Sequence, residues 1–189
     1  ALGWLGMHGF YHTNMAVQNA DLIMAVGARF DDRVTGDVEE WAPNAKIIHV
    51  DIDPSCISKN VYADCALIGD AQTVLEQLRP KVEPKDTSDW LSQIDEWRGE
   101  CPPYEYESPE DDAIAPESVV EALYEKTQGD AVMVSDVGQH QMWVCQYYKF
   151  GQTRSHISSG GLGTMGFGLP AAMGAAFGMR EGRDLDVVC

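Results

Sequence analysis

The sequence is short of cations and has no paired cysteines. Thirteen Lys and Arg stand against thirty Asp and Glu, a formal charge of −17. That balance argues against nucleic acid or an anionic membrane surface as a partner. The five cysteines (Cys56, Cys65, Cys101, Cys145 and Cys189) are scattered, with no C-x-x-C pair. Such spacing builds neither a zinc site nor a disulfide framework, and it suits a reducing compartment. No apolar run is long enough to span a bilayer, and the first residues do not read as a signal or transit peptide. An H-E-x-x-H pair, a Ser-His-Asp order and the G-x-G-x-x-G dinucleotide fingerprint are missing as well. His8, His12, His49, His140 and His156 show no metal-ligand spacing. The residues by themselves nominate no catalytic group and no metal site.

What is there is an ordinary globular composition over 189 residues, enough for one large domain or two small ones. The chain opens on Ala1 in a glycine-rich run and ends on the strand-like "LDVVC", so it reads as a piece of a longer protein. Helix and strand patterns alternate. "HTNMAVQNA" (12–20) has helical spacing, and "DLIMAVG" (21–27) is an apolar run closed by glycine. "AKIIHVDID" (45–53) repeats that form, and Pro54 is expected to open a helix reaching about Asn60. "CALIGD" (65–70) predicts a third strand and "AQTVLEQLR" (71–79) a third helix. This rhythm predicts a parallel α/β sheet.

From Pro80 to about Ala115 prolines and acids dominate, and one helix is expected around "SDWLSQIDEWRG" (88–99). The stretch 81–115 therefore reads as an acidic linker with a solvated surface. A second α/β unit follows. Its predicted parts are a helix from Pro116 to Lys126, a buried strand "DAVMVSD" (130–136) and a helix over "GQHQMWVCQYY" (138–148). A glycine-rich run, its helix and the terminal strand complete it. The expected fold class is α/β, with two doubly wound parallel-sheet units, 1–80 and 116–189, joined by that linker.

Several stretches combine chemistry with position. "LGWLGMHG" (2–9) spaces glycines at 3, 6 and 9, which suits either a strand-to-helix turn or a ligand loop. Asp51 and Asp53 lie just past the end of a predicted strand, and Asp70 ends another. Carboxylates at that edge accept hydrogen bonds from ribose hydroxyls, or cap the helix that follows. "GARFDDRVTG" (27–36) sets Arg29 and Arg33 among Asp31 and Asp32, for a bidentate grip on a diphosphate or a local ion-pair network. "SDVGQHQ" brings Gln139 and His140 to a helix start, where phosphate binds or a histidine caps. Five of the nine residues from Gly160 to Gly168 are glycine. Such a run either admits a ligand to the main chain or lets a helix lie close on the sheet.

Four stretches together carry a family resemblance: "LGMHGFYHTNMAVQNADLIMAVGARFDDRVTG", "IIHVDIDPSCISKN", "SDVGQHQMW" and "SSGGLGTMGFGLPAAMGAA". In wording and order they closely resemble the large, catalytic subunits of the acetolactate synthase (acetohydroxyacid synthase) family of thiamine-diphosphate enzymes. The resemblance covers nearly the whole chain and is weakest in the linker. It implies that 1–80 are the later part of a central FAD domain and 116–189 the first half of a thiamine-diphosphate domain. Met7, His8, Gly9, Gly27, Arg29, Asp32, Arg33, Val34, Asp51, Ile52, Gly69 and Asp70 would then meet FAD. Gln139, His140, Gly163 and Met165 would meet thiamine diphosphate.

The same resemblance implies Mg²⁺ held by residues beyond Cys189, and an activating glutamate before Ala1 that a dimer partner supplies. The piece alone would then be inactive. The implied reaction condenses two pyruvates, or pyruvate and 2-oxobutyrate, with loss of CO₂, toward branched-chain amino acids. It also implies a homo-oligomer, a regulatory small subunit, and a cytoplasmic place in a bacterium or an organellar one in a eukaryote. Glyoxylate carboligase, pyruvate oxidase and a non-catalytic nucleotide-binding module are the alternatives.

Overall fold

The apolar runs that end in glycine or aspartate become parallel strands in the computed structural model, which describes residues 1–102, 105–107, 113–179 and 185–189. The chain divides into two units, Ala1–Pro103 and Tyr104–Cys189. The first holds β1 (Leu22–Val26), β2 (Lys46–Asp51) and β3 (Cys65–Ile68), all parallel, in the order β1-β2-β3. Val26 pairs with Val50, and Asp51 with Ile68. All three strands therefore finish at the same edge. Central β2 is the most deeply covered strand, with Ile47, His49 and Val50 buried. Each buried Ile or Val there contributes about 1.5–3 kcal/mol.

Helices α1 (Tyr11–Gln18), α2 (Asp32–Thr35), α3 (Ala71–Leu78) and α4 (Ser88–Glu100) complete this unit. Beyond Pro54 the expected helix shortens to a 3-10 turn, Pro54–Cys56, capped by the Asp53 carboxylate. Ser58 follows at φ +55°, a backbone state that a helix cannot include. The helix expected inside the linker forms as α4, but it packs on α1, with Ile94 and Trp97 against Ala16. Its buried face makes it part of the first unit, whatever the acidity of its solvent side.

The second unit contains α5 (Pro116–Thr127), β4 (Val132–Ser135), α6 (Gln139–Tyr147), β5 (His156–Ser158), α7 (Gly168–Met179) and β6 (Val187–Val188). Its strands are parallel in the order β5-β4-β6. All four residues of β4 are buried, as a strand covered on both faces and both edges must be. Val120, Met133, Val144 and Tyr148 form its core. The Tyr148 hydroxyl lies 2.6 Å from Thr127 Oγ1 and accepts the Ala131 N–H.

Double winding belongs to this second unit, where the strand order reverses at β4. The first sheet runs in one direction only. Strand β5 has no counterpart among the expected elements: three residues, His-Ile-Ser, offer too little alternation to read. Among the described residues no helix is long and apolar enough to cross a membrane.

Candidate functional site

Hydrogen bonding at the first sheet continues one residue past its strands. The Gly27 N–H donates to the Val50 carbonyl (2.8 Å) and the Gly69 N–H to the Asp51 carbonyl (2.9 Å). Gly27, Asp51, Ile52 and Gly69 therefore share the carboxyl edge, where open α/β sheets receive ligands. Gly27 takes φ +62°, with open space where a Cβ would sit. Asp51 Oδ1 accepts the Asp53 N–H at 2.9 Å, and Oδ2 lies 3.9 Å from His49 Nε2. Ile52 is 72 % exposed.

The cap-or-ligand question resolves differently at each aspartate. Asp70 caps α3, accepting the Thr73 N–H and hydroxyl, both at 3.0 Å. The backbone N–H of Thr73 is the main reason its carboxyl lies below the ordinary aspartate range. Asp53 is lowered in the same way by Ser55. Arg29 pairs with Asp31 at 3.4 Å, and Asp31 also caps α2 through the Arg33 N–H. Asp32 sits exposed in the first turn of α2. The local ion pair is therefore present.

The Met7 loop meets α2. The Met7 N–H donates to the Arg33 carbonyl (2.8 Å), and Arg33 Nη1 lies 3.5 Å from Met7 Sδ. Asn14 brackets Gly6, accepting its N–H and donating to its carbonyl, both at 2.9 Å. Gly6 takes φ +96°, and a Cβ there would lie 2.4 Å from the Arg33 carbonyl oxygen. No side chain fits. The Gly9 N–H closes the loop on the Gly6 carbonyl at 2.9 Å, leaving His8 exposed. Met7, Arg33 and Val34 flank a cleft of about 340 Å³ that extends to Asn14, Gln18 and Trp41.

In the second unit, Ser135 pairs with Ser158, so the chain leaves β4 and β5 side by side. The β4 exit turns at Gly138 and starts α6 with Gln139 and His140, both exposed. The β5 exit becomes the glycine loop. Gly163 donates to the Ser159 carbonyl at 2.9 Å, and Thr164 to the Ser159 hydroxyl at 3.0 Å. The site of a Gly163 Cβ lies 4.0 Å from Val137. Met165 is 81 % exposed and Leu162 92 %. Gln139, His140 and Gly163 thus gather at the edge where the strand order reverses, and Met165 extends from the same loop. Helix α7 lies on β4 and β6, and its first residue, Gly168, sits against Asp136.

Two residues here escape a reading of the sequence. The Asp136 carboxylate accepts the N–H groups of Val137 (2.7 Å), Gly166 (3.0 Å) and Gly168 (2.7 Å). These bonds, Val137 and then Gly168 foremost, hold its carboxyl below the usual range. The available signal is an acid at or just past the end of a strand, the one that marks Asp51 and Asp70. The other is His49, fully buried, which donates from Nε2 to the Ala28 carbonyl at 2.8 Å and leaves Nδ1 without a partner. That bond holds Ala28 between Gly27 and Arg29. Among the described residues, no three His, Cys, Asp or Glu side chains come together to hold a metal ion.

Residues 1–78 match the family model of the thiamine pyrophosphate enzyme central domain, and residues 136–189 that of the C-terminal TPP binding domain. The acetolactate synthase isozyme 3 large subunit of Escherichia coli (strain K12) is 50 % identical over 96 % of this chain and 32 % of its own length. The acetolactate synthase large subunit of Haemophilus influenzae is 44 % identical over 100 % of this chain and 33 % of its own. The Saccharomyces cerevisiae protein called acetolactate synthase catalytic subunit, mitochondrial, is 42 % identical over 99 % of this chain and 29 % of its own. The chain thus spans about a third of the length of the relatives it matches.

Proposed function

This chain belongs to the thiamine pyrophosphate enzyme family, and from that premise we propose that it is the middle portion of an acetolactate synthase large subunit. The observation that carries the proposal is the near-complete alignment, at 50 % identity, with a protein of that name. The whole protein would condense two pyruvates, or pyruvate with 2-oxobutyrate, releasing CO₂. Thiamine diphosphate, when bound, supplies the carbon nucleophile for decarboxylation and carbon–carbon bond formation.

The residues present fit the two cofactors. Gln139 and His140 would hold thiamine diphosphate from the start of α6, and Gly163 and Met165 from the glycine loop. Open space at Gly160 and Gly161, where a Cβ would meet nothing within 4 Å, suits a ligand lying close to main chain. For FAD, the edge formed by Gly27, Asp51, Ile52, Gly69 and Asp70 would take the nucleotide end. Asp51 presents the acceptor for ribose hydroxyls. Arg29 and Arg33, with Asp32 and Val34 beside them, would take the diphosphate. Met7, His8 and Gly9 would reach the flavin.

On this reading residues 1–80, together with α4 packed on α1, belong to a central FAD domain, and 116–189 to part of the thiamine-diphosphate domain. Mg²⁺ would be held by residues outside this chain. A homodimer or larger assembly with a regulatory small subunit fits this reading, as does a cytoplasmic place in a bacterium or an organellar one in a eukaryote.

The test is to express the full-length protein and assay pyruvate turnover with thiamine diphosphate, FAD and Mg²⁺. Acetolactate is the expected product, and the isolated piece is expected to make none. Acetyl phosphate formed from pyruvate once phosphate and O₂ are supplied, or tartronate semialdehyde formed when glyoxylate replaces pyruvate, would place the protein with the pyruvate oxidases or glyoxylate carboligases. Flavin uptake without thiamine-dependent turnover would leave only a nucleotide-binding module.

A further inference from the structure

We propose that Asp136 is a positioning residue that ties the glycine loop to the β4–α6 turn and so sets the affinity for thiamine diphosphate. This rests on the functional reading above and names a determinant that reading lacks. One carboxylate joins two segments far apart in sequence. Oδ1 takes the N–H groups of Val137 and Gly166, at 2.7 and 3.0 Å, and Oδ2 takes that of Gly168 at 2.7 Å. Val137 belongs to the turn that presents Gln139 and His140. Gly166 and Gly168 close the loop that presents Gly163 and Met165. The backbones are also in van der Waals register, since a Cβ at Gly168 would lie 2.9 Å from Asp136 Cβ and 3.0 Å from its nitrogen.

The hydrogen bonds of the loop's interior, from Gly163 and Thr164 to Ser159, begin and end within it. They give the loop its shape but do not place it on the sheet. Asp136 does both for its neighbours: it fixes where the loop ends and answers the first amide of α7, where the helix dipole favours an anion. Three backbone donors need two acceptor oxygens. Asparagine keeps one and turns an N–H₂ group toward the Gly168 N–H, donor against donor. Glutamate keeps both oxygens on a longer stem.

The test uses the full-length protein with Mg²⁺ and compares wild type, Asp136→Asn and Asp136→Glu. Titration with thiamine diphosphate is followed by calorimetry, and turnover is measured at saturating cofactor. Loss of a charge-assisted hydrogen bond predicts a Kd raised roughly tenfold or more in Asp136→Asn. Asp136→Glu should recover part of that affinity. The kcat at saturation should change by less than about twofold, and the melting temperature of the cofactor-free protein by only about 4 °C or less. An unchanged Kd overturns the proposal, as does a kcat loss with Kd intact.

Should Asp136→Asn fail to fold, wild-type hydrogen exchange decides. Peptides covering 136–140 and 159–168 must gain protection together as cofactor is added, and separate responses refute the tie. Wild-type protein that binds no thiamine diphosphate at all overturns the functional reading itself, and this proposal with it.

Discussion

Replacing Gly6 by alanine separates two costs that glycine positions usually confound. At φ +96° an alanine meets backbone strain of about 1–2 kcal/mol. Its Cβ would also sit 2.4 Å from the Arg33 carbonyl oxygen and 3.0 Å from Val34 Cα, both backbone atoms that cannot rotate away. Forced overpacking of that kind adds about 1–3 kcal/mol. Gly36 is the control: it lies at φ +59° with nothing within 4 Å of an added methyl, so Gly36→Ala carries the conformational cost alone. Gly6→Ala should therefore destabilise the first unit by roughly 2–5 kcal/mol, and Gly36→Ala by roughly 1–2 kcal/mol. The urea dependence of hydrogen exchange in peptides covering 1–40 of the full-length protein reads this unit by itself. Equal losses in the two variants would refute the steric account of the Met7–Arg33 contact.

Trp97→Ala should cost about 3–5 kcal/mol in the first unit, since the indole is buried against α1 and stacks edge-on with Trp90. Exchange rates in peptides from α1 would rise with those of α4, and an unaffected α1 would return α4 to the linker. Burial pushes the Cys145 thiol up to about 11, so little thiolate forms at pH 8. Timed alkylation should label exposed Cys65 and Cys101 well before Cys145, and comparable rates would contradict the packing of α6. The Asp136 carboxyl binds its proton more weakly folded than unfolded, so protonation favours unfolding. Its contribution should be complete above about pH 4 and fall away as the solution is acidified further, and Asp136→Asn should flatten that part of the stability profile. Parallel wild-type and variant profiles would show that the three backbone bonds carry no such linkage.

Strands β1 and β4 are legible because each is an apolar run closed by glycine or Ser-Asp, as in "DLIMAVG" and "DAVMVSD", and β2 interrupts its run only with His49. Lateral order is not legible. Nothing in the letters distinguishes β1-β2-β3 from β5-β4-β6, because that choice is made by which crossover packs on which face. Strand β5 escapes because it borrows its stability from β4 rather than from its own pattern. The carboxylates after strands stand out as a class, yet their partners depend on turns that only the folded chain defines. Asp70 and Asp53 cap, Asp51 stays near His49 at the sheet edge, and Asp136 reaches amides 30 and 32 residues away. The acidity of 81–115 conceals the apolar face of α4, which uses only Ile94 and Trp97 to bury itself.

The reversal at β4 also has a consequence in time. During synthesis β4 emerges early, and its first neighbour β5 follows about twenty residues later. Its other neighbour, β6, starts at Val187, about fifty residues after β4 ends. At roughly 5–20 residues per second, the strand that is buried throughout in the folded unit waits some 3–10 s before its second edge is covered. A nascent chain in that interval presents a sticky ribbon to the crowded exit of the ribosome. Slow translation between residues 136 and 187 would lengthen the exposure, so codon choice in this stretch should govern how much protein is recovered in soluble form.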